Sequence, residues 1–335
     1  MIRICIPGFH DSDEGGPRWG DAQIIDDGKN YEVIDGYCGV GTTRLIKYLK
    51  ARKIKTPYLH ISHAHYDHYD GIRKIIRDSY FKPRGLYCYD PNTLGDVSAD
   101  VRENKRVLKS IIAEAKAKGI PVTYLKNEDK ITHGDIKIEV YRNTAITYRG
   151  NSDAYLNDSS LAYWFPDISY FTSGDDGMWA VQEYDLKPKM AKGGHHGNRL
   201  DGSTLKPSQM APIMKKNGCL YYWDNDYSTK LTDFLMTGRD DAINAGMTIF
   251  SIHGDINILA YSGKVVIYKD GKTYSYKCSY KGKSTIGYAT ITVIEDVIAG
   301  KYGSNNERVT ALLNAGYWPS NVQAHINKLY KLIKG

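Results

Sequence analysis

The chain has 335 residues and a formal net charge of +7, and 41% of its residues are hydrophobic and 25% charged, which is ordinary for a globular protein. No run of 18 apolar residues occurs and the first residues lack the apolar segment of a secretory signal, so the sequence predicts neither a membrane span nor a membrane partner. The five cysteines are scattered and odd in number, which excludes a sequence-readable disulfide framework or zinc ribbon.

Strand and helix patterns alternate along the first 280 residues, which indicates an α/β fold. The length favours one large domain followed by a small one. In chain order we predict strands at 22–25 and 31–34, a helix at 42–51, a strand ending at 62, a helix at 99–118, strands at 136–140 and 161–165, helices at 205–216 and 229–235, and hairpins over 256–280.

The most informative motif directly follows the strand that ends at residue 62. It reads H-x-H-x-D-H from His63 to His68, so four potential metal ligands occupy six residues of a chain with only 10 histidines. Residues two apart in an extended segment point the same way, so His63 and His65 can bind one ion together. Asp67 and His68 turn with the loop and can bind a second ion. Imidazole and carboxylate ligands suit zinc and similar metals.

Further motifs follow in an order that is typical of one superfamily. Asp35 ends a strand in an acidic turn, Asp175 closes a Ser-Gly-Asp triplet, and His195 and His196 form a Gly-His-His-Gly motif. Together with H-x-H-x-D-H they resemble the metallo-β-lactamase superfamily, which implies an αββα sandwich. The segment 157–161, Asn-Asp-Ser-Ser-Leu, is similar to the branch that contains the competence protein ComEC and bacterial phosphorylcholine esterases.

The resemblance implies two divalent metal ions, with zinc favoured and manganese or iron as alternatives. Asp175 would bridge the ions, and Asp35 would brace the metal loop from behind. His133, the only histidine between the first and last motifs, is predicted to lie in a hairpin turn instead. The implied ligands of the first ion are His63, His65 and either Asn157 or Asp158. Those of the second ion are Asp67, His68 and either His195, the preferred ligand, or His196.

The implied reaction is hydrolysis by a hydroxide that bridges the two ions. Asp67 would orient this hydroxide, and His196 would contact the leaving group. The chain from 1 to 284 would form this catalytic domain.

A different composition begins after the Lys-Gly-Lys-Ser segment at 281–284, which is typical of a linker. Three short helices are predicted at 294–299, 306–315 and 321–333, with Leu312 and Leu313 among their apolar positions. This region, 290–335, resembles the Cpl-seven type of cell-wall-binding module, a three-helix bundle. The resemblance implies binding to bacterial peptidoglycan, with Asn305, Arg308 and Tyr317 at the wall-binding surface. The alternative is a small helical cap packed on the catalytic domain.

The two resemblances together imply a metal-dependent phosphodiesterase that acts on an anionic cell-wall polymer such as teichoic acid. The net charge of +7 also favours an anionic partner. We expect the protein to be made in the cytoplasm and released to the wall by phage-type lysis. Two alternatives stay open. One is a nuclease for DNA or RNA, with Arg142, Arg149 and Arg199 as phosphate contacts. The other is a non-catalytic wall-binding protein with a relic metal site.

Overall fold

Two β-sheets stacked between layers of helices form the body of the protein. The computed structural model describes residues 1–8, 20–175, 179–197, 207–224, 242–251, 254–284 and 291–334. Within these ranges, one sheet has the strand order β16-β15-β14-β1-β2-β3-β4-β5-β6 and the other the order β13-β12-β11-β10-β9-β8-β7. The strands are β1 Ile2–Ile6, β2 Gln23–Asp26, β3 Tyr31–Ile34, β4 Tyr58–His60, β5 Gly85–Cys88, β6 Val122–Tyr124, β7 Lys130–His133, β8 Ile136–Arg142, β9 Leu161–Phe165, β10 Tyr170–Thr172, β11 Met190–Lys192, β12 Tyr221–Asp224, β13 Thr248–Ser251, β14 Ile256–Tyr261, β15 Lys264–Lys269 and β16 Lys272–Lys277.

Helices cover both outer faces, so the sandwich that the motif resemblance implies is confirmed. The apolar core between the sheets continues under the first three helices, through residues such as Leu45, Ile72 and Ile111. A second cluster, which includes Val181 and Met214, lies under the fifth and sixth helices against the other sheet. The helices are α1 Gly39–Ala51, α2 Tyr66–Arg77, α3 Ala99–Ala117, α4 Ser152–Asp158, α5 Trp179–Glu183, α6 Pro207–Lys216, α7 Ile291–Ile298, α8 Asn305–Asn314 and α9 Pro319–Lys334.

Parallel pairing brings the chemistry-bearing motifs to one edge of the sandwich. Strands β3, β4 and β5 run parallel, as do β10, β11 and β12. The carboxyl ends of parallel strands meet at the same edge of a sheet, where crossover loops carry binding residues. Asp35 follows β3, the histidine motif follows β4, Asp175 follows β10 and His195 follows β11. The fold therefore gathers residues that are far apart in sequence.

The last three helices, α7 to α9, form a bundle that we call the C-terminal bundle. Its own core contains Val297, Leu312 and Val322. A second apolar cluster joins it to the larger sheet, where Leu313 packs with Leu259 and Val266. No helix in the described ranges has both the length and the apolar character needed to cross a membrane.

Buried polar contacts fix the same junction between bundle and sheet. The Thr310 hydroxyl donates to Asp255 at 2.7 Å and accepts from Asn257 at 2.9 Å. The Arg3 guanidinium on β1 donates to the Leu313 carbonyl near the end of α8 at 3.3 Å. The bundle is therefore packed on the sheet rather than held only by the preceding chain segment.

Most predicted elements appear with shifted ends, and the helix predicted at 229–235 lies outside the described residues. The histidine motif differs most from its predicted setting. A helix begins at Tyr66, so Asp67 and His68 belong to the first turn of α2 rather than to a loop. The predicted turn around His133 is observed between β7 and β8.

His133 belongs to a buried cluster around Glu32. The fully buried Glu32 carboxylate accepts from His133 Nδ1 at 2.8 Å and from His60 Nε2 at 2.9 Å, and Tyr87 contacts the other His133 nitrogen at 3.1 Å. Burial raises the pKa of Glu32, but the hydrogen bonds from His133 and His60 outweigh burial and hold that pKa below its ordinary value. This cluster joins the two sheets, because β3 and β4 lie in one and β7 in the other.

Replacing Glu32 by Gln is expected to lower the free energy of unfolding by about 2–3 kcal/mol at pH 7, because an amide leaves one imidazole N–H without an acceptor. A lowered folded-state pKa means that the Glu32 contribution is present above the unfolded value of about 4.3 and is lost as the pH falls through the folded value. Urea unfolding should thus show a smaller difference in the free energy of unfolding between the parent and Glu32→Gln at pH 4 than at pH 7. Glu139→Gln, a half-exposed control, should shift stability by less than about 1 kcal/mol. Equal effects of both variants would contradict the role of Glu32.

Candidate metal centre

The three histidines of the first motif converge because a strand end is followed directly by a helix start. His63 lies in the extended segment after β4, His65 is the N-cap position of α2, and His68 lies in the first turn of the helix. The Nε2 atom of His63 is 2.9 Å from Nδ1 of His65. His63 and His68 are fully buried, and the rings of these two residues lie 4.1 Å apart.

Asp175 is the residue that two groups of potential ligand atoms share. One group contains His63, His65 and Asp175, and the other contains Asp21, His68 and Asp175. Within each group the nitrogen and oxygen atoms lie within 4.8 Å of one another. The two carboxylate oxygens divide between the groups, since Oδ2 is 3.5 Å from His63 Nε2 and Oδ1 is 3.2 Å from His68 Nε2. This is the arrangement expected of a carboxylate that bridges two ions.

Asp35 holds His68 and the adjoining segment from the side opposite the candidate ligand atoms. Its Oδ2 accepts from His68 Nδ1 at 2.8 Å and from the Ser62 hydroxyl at 2.7 Å, while Oδ1 accepts from the Ser62 backbone N–H at 2.8 Å. The hydrogen bond to Nδ1 directs the opposite nitrogen of His68 toward Asp175. A carboxylate behind a ligating imidazole is a common means of fixing its tautomer and orientation. Asp35 itself has a left-handed backbone with φ of 58°, which Asp tolerates better than most residues.

Two close backbone approaches seat the motif. A Cβ added at Gly71 of α2 would lie 1.9 Å from the Gly36 carbonyl oxygen, so the helix can approach the Asp35 turn only with glycine there. Gly20 has φ of 98°, and an added Cβ would lie 1.9 Å from the Asp67 carbonyl oxygen. Both glycines therefore set the position of α2 relative to the sheet.

The charge state of the histidines fits a metal site. Burial lowers the pKa of His63 well below its ordinary value, and burial likewise lowers the pKa of His65. Both rings are therefore neutral, which is the form that binds metal. Burial also opposes charge on His68, but Asp175, Asp35 and Asp67 outweigh burial and raise the pKa of His68 well above its ordinary value. A metal ion there would replace that proton as the balancing positive charge.

Two buried polar atoms test whether the residues of this site fit a metal ion. His65 Nε2 is buried and has no hydrogen-bond partner among the described residues, and the Asp153 carboxylate lies 3.7 Å away. The Oδ1 atom of Asn157, a residue that is 2% exposed, likewise lacks a partner in the part of the chain that the structure describes. Buried polar atoms in folded proteins rarely lack a hydrogen-bond partner. Neutral imidazoles around a shared carboxylate match the ligand preferences of zinc, so these residues fit a divalent ion.

A buried lysine beside the site is a feature that the sequence interpretation missed. Lys192, the last residue of β11, is 1% exposed, and its Nζ lies 2.5 Å from Asp21 Oδ2 and 3.7 Å from Asp175 Oδ1. Burial lowers the pKa of Lys192, yet Asp21 and Asp175 outweigh it and raise that pKa, so the ammonium is charged. The sequence signal was a lysine within an otherwise apolar strand, close before the Gly-His-His-Gly motif.

The remaining predicted site residues lie around this centre. His195 Nε2 is 4.0 Å from Asp175 Oδ2, and Asp67 Oδ2 is 3.9 Å from His68 Nε2. Asp158 is buried at the end of α4 but belongs to neither group of ligand atoms, so its role, like that of Asn157, stays a prediction. The His196 side chain lies outside the described part, and so does the prediction that it contacts the leaving group.

Of the arginines considered as nucleic-acid contacts, Arg142 makes its contacts with neighbouring side chains of the protein. Arg142 is 7% exposed, and its Nη2 donates to the Thr93 hydroxyl at 2.7 Å. Its guanidinium also lies over the Tyr89 ring, 4.5 Å from the centroid. Arg142 is therefore used inside the protein, and Arg199 lies outside the described residues.

Comparisons with known proteins agree with this architecture. The chain has the metallo-β-lactamase fold, since it matches the fold protein YhfI from Bacillus subtilis with a TM-score of 0.50 and 12% identity over 82% of this chain and 99% of that one. It also matches Igni18, a metallo hydrolase from Ignicoccus hospitalis, with a TM-score of 0.45 and 15% identity over 82% and 99% of the two chains. Yeast PDE1 matches with a TM-score of 0.46 and 11% identity over 75% and 98%.

The C-terminal bundle has a match of its own. Residues 292–330 match the CW_7 repeat family, which confirms the resemblance of this segment to that type of module. A comparison with curated proteins found no match. The chain therefore combines a metallo-β-lactamase fold that carries candidate metal ligands with a CW_7 repeat.

Proposed function

We propose that the protein is a metal-dependent hydrolase that cleaves phosphodiester bonds of a cell-wall polymer such as teichoic acid. The observation that carries the proposal is Asp175, whose two oxygens face two separate groups of potential ligands. We assign His63 and His65 to the first ion, with Asp158 or Asn157 completing its shell. We assign Asp67, His68 and His195 to the second ion, near which the structure also places Asp21, and Asp175 to both ions.

Two bound divalent ions would lower the pKa of a water molecule and polarise a phosphoryl oxygen. The protein side chains orient a ligand and accept a proton. Asp35 keeps His68 in one orientation, so the ligand nitrogen does not have to be reorganised on binding. The Asp67 carboxylate is 24% exposed, whereas that of Asp175 is 2% exposed. Asp67 can therefore accept a proton from an attacking water.

The CW_7 match supports action at the cell wall, because a wall-binding segment raises the local concentration of the enzyme on a wall polymer. Teichoic acids are wall polymers joined by phosphodiester bonds, and two-ion centres are suited to such bonds. We propose residues 1–284 as the catalytic domain and residues 290–335 as the wall-binding module. Release to the wall by cell lysis is part of the same proposal.

Metal analysis and turnover test this function directly. We expect the gently purified full chain to carry about two zinc or manganese ions and to hydrolyse bis-(p-nitrophenyl) phosphate. Asp67→Asn should lower turnover about a hundredfold or more, because it removes both a ligand and the proton acceptor. Asp78→Asn, at the far end of α2 where Asp78 pairs with Lys50, should leave turnover unchanged.

Two results would count against the proposal. One is the absence of transition metal before and after reconstitution, and the other is parental turnover in Asp67→Asn. Release of phosphate esters from purified walls then separates a wall substrate from a nucleic acid. Cleavage of DNA or RNA with no release from walls would make the chain a nuclease instead.

A further inference from the structure

A residue outside every motif of the sequence reaches the candidate metal centre. Asp21 lies two residues before β2, and its side chain is buried. One of its carboxylate oxygens lies within 4.8 Å of a His68 nitrogen and of an Asp175 oxygen. The superfamily resemblance assigns no role to Asp21, so its position beside these two residues needs its own explanation.

Backbone contacts on two sides fix Asp21 in this position. The Tyr37 N–H donates to the Asp21 carbonyl at 2.9 Å, and the Tyr37 carbonyl accepts from the Gly71 N–H at 3.3 Å. Gly20, the preceding residue, lies so close to the Asp67 carbonyl that a Cβ would not fit. Asp21 is therefore held between the turn that follows β3 and the start of α2, where metal ligands are predicted.

The two groups of potential ligand atoms differ in their number of carboxylates. The first group has two imidazoles, those of His63 and His65, and one carboxylate, that of Asp175. The second group has one imidazole, that of His68, and two carboxylates, those of Asp21 and Asp175. Imidazole nitrogen and carboxylate oxygen are both ligands of zinc. Two buried carboxylates at such short range repel each other, so the second group needs a cation to be stable.

Lys192 supplies a cation to the second group. Its Nζ lies 2.5 Å from Asp21 Oδ2 and 3.7 Å from Asp175 Oδ1, and it donates to the Gly174 carbonyl at 2.5 Å. Both carboxylates of the second group thus lie near one ammonium, whereas the Asp175 oxygen that faces His63 is the other one, Oδ2. An ammonium beside two ligand oxygens repels a metal ion that would bind the same oxygens.

We propose that Asp21 is a ligand of the second ion and that the Lys192 ammonium competes with this ion for Asp21 and Asp175. Lys192 stabilises the two buried carboxylates before the second ion binds, and it makes that ion bind more weakly than its ligands alone would allow. This inference rests on the proposed two-ion hydrolase and adds a ligand and a competing cation to the same centre.

Stepwise metal titration of the full-length protein tests the role of Lys192. The chain is stripped with a chelator, and zinc binding is then measured in competition with a chromophoric chelator. Lys192→Met should tighten the binding of one ion about tenfold or more, because a positive charge next to that ion is removed. Lys189→Met is the matched control, because Lys189 Nζ donates to the Gly218 carbonyl, and it should leave the binding of both ions unchanged.

Asp21→Asn tests the ligand and should act on the same ion in the opposite direction. It keeps the ammonium and removes a carboxylate, so we expect the binding of that ion to weaken about tenfold or more. The absorption spectrum of the cobalt-substituted protein should change for that ion, because one of its ligands is altered. If Lys192→Met does not fold, the double variant with Asp21→Asn is compared with Asp21→Asn alone, and it should bind the second ion more tightly.

Three results would overturn the proposal. They are unchanged binding of both ions in Asp21→Asn, weaker binding in Lys192→Met, which would make the lysine only a support for Asp175, and a parent that binds one ion at every zinc concentration. Turnover enters none of these measurements. A parent that binds two ions and does not hydrolyse bis-(p-nitrophenyl) phosphate would contradict the proposed hydrolase and leave the roles of Asp21 and Lys192 standing.

Discussion

Asp175→Asn is expected to lower metal content from about two ions per chain to one or none and to reduce phosphodiester turnover about a thousandfold or more. A bound metal centre supplies several kcal/mol of transition-state stabilisation, and each 1.36 kcal/mol is a factor of ten in rate. Asp175 is the one residue common to both groups of ligand atoms, so its loss affects both ions. Asn preserves the shape of the side chain, which keeps the neighbouring packing intact.

Elemental analysis and steady-state turnover measure this effect, and thermal unfolding checks the fold. Asp167→Asn is the matched control, because Asp167 precedes β10 and pairs with the half-exposed Lys137 at 3.0 Å. The control should keep both metal ions and parental turnover. If Asp175→Asn also keeps both, the two-ion assignment is wrong.

Lys192→Met is expected to lower the free energy of unfolding by about 3–5 kcal/mol, because removing one partner of a buried ion pair leaves the other charge uncompensated. Asp21 and Asp175 both lie near the Lys192 ammonium, and all three side chains are at most 2% exposed. Met retains much of the length and the apolar character of the lysine stem. Urea unfolding of the metal-free protein measures the change without a contribution from bound ions.

The double variant Asp21→Asn with Lys192→Met separates loss of a pair from loss of packing. Removing both charges should recover part of the stability, because a buried pair costs more to break than to replace. Lys189→Met is the control, since the one hydrogen bond of Lys189 Nζ within the described ranges is to the Gly218 carbonyl at 3.3 Å. This change should alter stability by about 1 kcal/mol or less. If the stability loss of the double variant equals the sum of the losses of the two single variants, the buried ion pair is not the cause of the lost stability.

The candidate metal centre was predictable to the extent that its potential ligands are local in sequence. His63, His65 and His68 fall within one short motif, and the strand-to-helix junction that orients them leaves a pattern in the sequence. Asp35, Asp175 and His195 lie far apart, and the resemblance to a known superfamily, rather than spacing, placed them at the same edge. The alternating strand and helix patterns indicated the α/β class, and the layered sandwich was implied by the same resemblance.

Other parts could not be predicted, because they depend on contacts between distant segments. Nothing in the local sequence indicates that Asp21 and Lys192 meet, since each looks like an ordinary charged residue until the strands are assembled. Leu312 and Leu313 show the same limit. They are adjacent in α8, about 100° apart around the helix. Leu312 packs inside the bundle and Leu313 packs on the sheet, and periodicity alone assigns both to one core.

The packing of Leu313 and Trp318 on the sheet bears on transplanting this segment into other proteins. Trp318 lies against Tyr261, with ring centroids 5.2 Å apart, and Leu313 meets Leu259 and Val266. A graft of residues 291–334 onto an unrelated enzyme would expose these side chains to water and invite aggregation. A successful chimera would have to carry β14 and β15 as well. The structural unit to transfer is therefore the repeat together with the strands on which it packs.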